Sequence, residues 1–135
     1  MSSERYRYYR FDLKEKEAVK EAVREVLEEG GVELAIIFGS FVEMESFRDV
    51  DVAVYAGSRE LDLDAVIKLS VKLEERLRIP VDVIPLNVVS PSFRHYILTR
   101  GEVVLEKRPS LYEALLMRTL DELAVLESEE NSLVK

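Results

Sequence analysis

The chain has no cysteine, a single histidine, and too few basic residues to balance its acids: 19 lysines and arginines against 27 aspartates and glutamates, for a net charge of −8 over 135 residues. Without cysteine there is neither a disulfide frame nor a thiolate metal site. One histidine, His95, cannot build a histidine metal centre, and beside Arg94 it reads as a structural residue. No apolar run approaches the roughly 20 residues that a bilayer span needs. The opening residues, Met1-Ser2-Ser3-Glu4-Arg5, are not followed by the apolar core of a signal peptide. A cytoplasmic protein with no membrane partner is therefore expected. An acidic domain repels a phosphate backbone, so nucleic acid is not the expected partner. The one basic stretch, Arg5, Arg7 and Arg10 interleaved with Tyr6, Tyr8 and Tyr9, also has the alternation of an ordinary edge strand.

What is present is enough for one compact α+β domain: 47% of the residues are hydrophobic and 34% charged. Residues 5–11 read as a short strand. Asp12 is a good N-cap, and beyond it Leu13, Ala18, Val19, Ala22, Val23, Val26 and Leu27 recur at helical spacing up to Gly30-Gly31. Residues 32–38 are apolar apart from Glu33 and predict a buried central strand. Ser40 and Glu43 have the spacing of a capping box. A second strand is expected over residues 49–55, and a helix from Leu61-Asp62-Leu63-Asp64 to about Leu77. Another strand follows over residues 81–84, between Pro80 and Pro85. A short helix over residues 92–99 closes at Gly101, and an edge strand follows over residues 102–105. The last helix is expected from about Leu111 to Glu127, with a frayed polar tail over residues 128–135. Its apolar residues cover more than the single stripe a surface helix buries, so the surplus is a candidate contact for a second copy or another chain.

Two features carry chemistry. Ile36-Ile37-Phe38 runs straight into Gly39-Ser40, and the next strand opens with Asp49-Val50-Asp51. Residues two apart on a strand share a face, about 7 Å apart, so Asp49 and Asp51 lean to one side while Val50, Val52 and Val54 enter the core. If the strand with Asp82 lies beside this one, three carboxylates meet. Two carboxylates 4 Å apart repel by ~4 kcal/mol at an effective dielectric near 20, a cost that a cation removes. Hard oxygen donors select Mg²⁺ or Mn²⁺ over zinc. At the turn, Gly39 lets backbone approach a phosphate closely, and the Ser40 hydroxyl either donates to that phosphate or caps its own helix.

The order is helix, buried strand, Gly39-Ser40, short connection, Asp49-x-Asp51 on a strand, helix, then a strand with Asp82. It resembles the nucleotidyltransferase superfamily of DNA polymerase β, and its minimal members in particular, the MntA-like antitoxins. The likeness runs from about Asp12 to Leu105, and Pro91-Ser92-Phe93-Arg94-His95-Tyr96-Ile97-Leu98-Thr99-Arg100-Gly101 looks like the family's closing helix and glycine. The resemblance implies a polymerase β palm-like fold, a short mixed sheet flanked by helices. A minimal nucleotidyltransferase domain would span residues 1–108, with a C-terminal helical extension and tail over 109–135. It implies that Gly39 and Ser40 bind the triphosphate of ATP or another NTP. Asp49, Asp51 and Asp82 would bind two Mg²⁺ ions (Mn²⁺ as a substitute) and act as the catalytic acids. It further implies transfer of a nucleoside monophosphate, AMP from ATP, to a hydroxyl, with a tyrosine of a HEPN-domain toxin as acceptor in a toxin–antitoxin module. The alternative it leaves open is a catalytically weak antitoxin that binds and sequesters a helical partner. The chain departs from the family where a small residue, Arg and Gly frequently follow the Ser: here stand Val42, Glu43 and Met44, and the connection to Asp49 is short.

Overall fold

A computed structural model describes residues 7–57 and 61–134. The first long element, α1 (Leu13–Glu29), begins at a reciprocal cap. The Asp12 carboxylate accepts from the Glu15 amide at 2.8 Å, and the Glu15 carboxylate accepts from the Asp12 amide at 2.9 Å. The helix buries Val19, Ala22, Val23 and Leu27. It ends at Gly30, but the left-handed residue that turns the chain is the next one, Gly31, at φ +80°.

Ahead of α1, the strand expected over residues 5–11 is reduced to β1 (Tyr9–Arg10), with Arg5 and Tyr6 outside the described residues. After α1, β2 (Leu34–Phe38) is buried throughout, and it sits inside a four-stranded mixed sheet because neither face tolerates water. The sheet order is β5-β4-β2-β6, where β4 is Val50–Tyr55, β5 is Val81–Pro85 and β6 is Glu102–Glu106. β2 pairs antiparallel with β4 and with β6, while β4 and β5 are parallel. That last pairing follows from the helix between them, α3 (Leu63–Leu77), capped by Asp62, because a strand–helix–strand crossover returns the chain in the same direction.

Helices cover both faces. Ala35, Ile37, Val50, Val52 and Val54 meet Val23 and Leu27 of α1 and Leu69 and Leu73 of α3. Leu34, Ile36, Phe38 and Ala53 meet Ile97 and Leu98 of α4 (Pro91–Arg100) and Leu111 and Leu115 of α5 (Leu111–Val134). The segment between β2 and β4 holds α2 (Ser40–Glu43) and β3 (Ser46–Phe47), and β3 pairs with β1 in a small separate ribbon. Phe47, buried, packs its ring against Tyr9, Phe11 and Phe41.

Two expectations are corrected here. Ser40 is not a cap. Gly39 takes that place with no side-chain bond, and the Glu43 carboxylate is engaged by α4 instead of by the start of its own helix. The frayed tail is helical: α5 continues through Val134, in keeping with a stretch that holds neither glycine nor proline to stop it. α5 is fixed to α4 by a buried guanidinium. Arg94, 2% exposed, donates from Nε to Thr119 Oγ1 at 2.7 Å, from Nη2 to Glu122 Oε1, and from Nη1 to the Val89 carbonyl at 3.5 Å.

Candidate active site

The parallel pairing of β4 and β5 sets Asp51 directly across from Asp82. Cross-strand partners point to the same side of a sheet, here the side covered by α4 and α5. Asp49 stands one residue ahead of β4. Each of the three acids offers one carboxylate oxygen, and these oxygens all lie within 4.8 Å of one another. The expectation that the three acids gather at one edge of the sheet is met. Asp49 and Asp51 are half-buried and Asp82 is exposed, so the cluster opens to solvent on one side.

The electrostatics of this group are unfavourable by themselves. Burial pushes the Asp51 carboxyl up to about 6, and the negative charges of Asp49 and Asp82 push in the same direction. Three carboxylates and no nitrogen or sulfur donor form the kind of set that holds a hard divalent cation. Oxygens on opposite sides of a Mg²⁺ ion are about 4.2 Å apart, so oxygens within 4.8 Å of one another need only small side-chain shifts to meet on one ion.

Gly39 sits against this cluster. Phe38, the last residue of β2, is the register partner of Asp51. At Gly39 the backbone takes φ +82°, ψ −156°, a region open essentially to glycine alone. A β-carbon there would lie 2.4 Å from Asp51 Oδ2. The glycine thus lets the turn pass beside the acid. Beyond it, the Val42 and Glu43 amides both donate to the Gly39 carbonyl, and the Met44 amide donates to the Ser40 carbonyl. The helical bonds of α2 begin only there, so the amides of Ser40 and Phe41 precede them.

The Glu43 carboxylate is held by the Tyr96 hydroxyl at 2.6 Å and by Arg100, whose Nε donates at 3.0 Å and whose Nη2 lies at 2.7 Å. Those bonds, the Tyr96 hydroxyl first, hold the Glu43 carboxyl below its ordinary range. The acid that replaces the family's small-residue–Arg–Gly segment is therefore neutralised by α4. Next to it, Phe38, Phe93 and Tyr96 form an aromatic group: Phe93 and Tyr96 lie parallel within 10°, 6.2 Å between centroids, and both meet Phe38 edge-on. The sequence places Phe38 on the buried strand and Phe93, Tyr96 and Arg100 on the closing helix, and gives none of them a part in the site. Their periodicity is that of a helix and a strand, and only tertiary packing brings them to the acids.

A mixed sheet with in-register carboxylates beside a glycine turn is the framework of a nucleotidyltransferase. Residues 21–110 match the family described as Polymerase beta, Nucleotidyltransferase, and the chain belongs to that family. Among curated proteins it is 34% identical over 89 residues to “Putative protein adenylyltransferase MJ0435” of Methanocaldococcus jannaschii, covering 64% of this chain and 95% of that protein. Among solved structures, a toxin–antitoxin crystallised with AMP-PNP is similar at TM-score 0.74 and 24% identity, covering 85% of this chain and 94% of that one. A second similar structure is tri-AMPylated Shewanella oneidensis HEPN toxin in complex with MNT antitoxin, at TM-score 0.73 and 22% identity, covering 88% and 95%. At these identities the two structures establish the shared fold. Among the described residues, no helix is long and apolar enough to cross a membrane.

Proposed function

We infer that the protein transfers AMP from ATP to a hydroxyl, and that the acceptor is a tyrosine of a HEPN-domain partner. The observation that carries this reading is the placement of Asp51 across from Asp82, with Asp49 beside them and Gly39 in contact distance. The relative named as a protein adenylyltransferase and the AMPylated toxin in a similar complex support the choice of nucleotide and acceptor.

In this reading Asp49, Asp51 and Asp82 hold two divalent cations, Mg²⁺ or Mn²⁺. When bound, such ions supply charge neutralisation for the triphosphate and lower the pKa of a nearby hydroxyl. Asp82, the most open of the three, faces the side from which an acceptor hydroxyl can enter, and it helps to draw off the proton. Gly39 and Ser40 position the terminal phosphates through backbone amides, and the Ser40 hydroxyl, released from any capping duty, donates to a phosphate oxygen. The acceptor oxygen forms a bond to the α-phosphorus, the bond from that phosphorus to the bridging oxygen breaks, and pyrophosphate leaves with the electron pair. No covalent enzyme intermediate is required.

A second reading is favoured by the apolar surface of α5, where Met117, Leu120, Val125 and Leu126 are exposed: a catalytically weak antitoxin that binds its partner through this helix. Incubation with ATP labelled at the α-phosphate, Mg²⁺ and a HEPN-domain partner separates the two. Label on the partner, lost in the Asp49→Asn/Asp51→Asn variant, supports transfer. A tight complex without label supports sequestration.

A further inference from the structure

The aromatic group beside the acids has a composition that hydrophobic packing alone does not require. Phe38 is 4% exposed and belongs to the core, yet Phe93, in edge contact with it at 5.8 Å, keeps 37% of its surface in water. Tyr96 is not free to turn: its hydroxyl is bonded to Glu43 at 2.6 Å, and Phe38 meets its ring edge-on at 6.4 Å. Two parallel rings, one anchored and one partly open, thus stand on α4 next to Phe38. Phe38 is the register partner of Asp51 and the residue before Gly39.

We propose that Phe93, backed by Tyr96 and Phe38, is the stacking platform for the nucleobase of the nucleotide that the carboxylates and the glycine turn hold by its phosphates. The inference rests on the nucleotidyltransferase reading and adds the subsite for the base. The rings present π-faces and no dedicated hydrogen-bond code, so recognition is by stacking, which tolerates different bases and favours the larger purine face. Anchoring by Phe38 and the Tyr96–Glu43 bond means that little side-chain freedom is lost when a base settles on the platform.

The test is calorimetric titration of the full chain with Mg·ATP, Mg·UTP and Mg·tripolyphosphate, on wild type, Phe93→Ala and Phe93→Trp. The expected result is that Phe93→Ala weakens ATP by roughly 5- to 150-fold, the worth of one base–aromatic stack. Tripolyphosphate, which has no base, should bind both proteins alike, and UTP should bind wild type more weakly than ATP. The chain has no tryptophan, so Phe93→Trp places a lone indole on the platform. Its emission should be quenched by ATP and not by tripolyphosphate, and ATP affinity should be kept. Circular dichroism melting confirms that each variant is folded. If Phe93→Ala leaves ATP affinity unchanged, or if the indole is insensitive to ATP that does bind, the platform is refuted while the nucleotide reading stands. Equal weakening of ATP and tripolyphosphate also refutes it, since the ring would then support the phosphate site. If wild type binds neither ATP nor tripolyphosphate, the nucleotidyltransferase reading fails and the platform fails with it.

Discussion

At the residue scale the site is a set of conformational and electrostatic costs held in one place. Gly39 occupies a backbone region that other residues enter at about 1–3 kcal/mol of strain, and its missing side chain is what leaves room for Asp51 Oδ2. Gly39→Ala should therefore destabilise the fold by about that amount and displace the Asp51 carboxylate. Thermal melting reads the first effect, and loss of Mg²⁺-induced stabilisation reads the second. Asp51 shows the opposite behaviour. Its carboxyl is pushed up to about 6 by burial and by its two acidic neighbours, so the folded protein holds the proton more tightly than the unfolded chain does. The stabilising effect of that proton is complete below the ordinary aspartate range and is lost as pH rises through about 6. In the presence of chelator, Asp51→Asn should match wild type near pH 4 and exceed it by about 3–5 °C at pH 8, roughly 1 kcal/mol once solvent screening is allowed for. A difference that stays constant between pH 4 and pH 8 would contradict the assignment.

At the element scale the hinge of the architecture is the contact between α4 and α5. Arg94 is buried but Glu122 keeps 42% of its side chain exposed, so the two partners are not equivalent. Removing the acid leaves a buried guanidinium short of its counter-charge, whereas removing the arginine leaves a carboxylate that water can reach. Glu122→Ala should cost about 2–3 kcal/mol, more than Arg94→Met, and the double variant should recover part of the loss; urea unfolding of the three proteins measures the order. Arg94 also marks the limit of what the sequence discloses. The meeting of Asp49, Asp51 and Asp82 is legible because it follows from short-range rules: the two-residue period of strands, and the parallel return that the α3 crossover imposes. The capping of α1 by Asp12 is local as well. By contrast, Arg94 finds Thr119 and Glu122 25 and 28 residues away, and Glu43 finds Tyr96 and Arg100 53 and 57 residues away. No periodicity encodes such pairings. The capping-box spacing of Ser40 and Glu43 misled for that reason: a tertiary partner took the carboxylate that a local rule assigned to the helix start. The strand expected within residues 5–11 has its partner in β3, which was hidden likewise, since a two-residue strand carries no period.

At the scale of the whole molecule, a chain of net charge −8 gathers three carboxylates, Asp49, Asp51 and Asp82, at the site where it is expected to receive a polyanion. A cation between them would reconcile those facts, because like charges this close raise both the free energy of the apo fold and the cost of bringing in a triphosphate. The cation should therefore act on stability as well as on chemistry. A ligand bound only by the folded state stabilises by roughly 2.7 kcal/mol at 100 times its Kd. Mg²⁺ also screens the rest of the acidic surface, and that contribution rises gradually with ionic strength rather than saturating at a site. The two are separated by titrating Mg²⁺ at constant ionic strength into wild type and into Asp49→Asn/Asp51→Asn, following the melting temperature. Wild type should gain several degrees along a saturating curve. The double variant should start higher, because two repelling charges are gone, and gain nothing that saturates. If both proteins show the same saturating rise, the cation binds elsewhere on the acidic surface, and the three aspartates lose their assigned part in holding it.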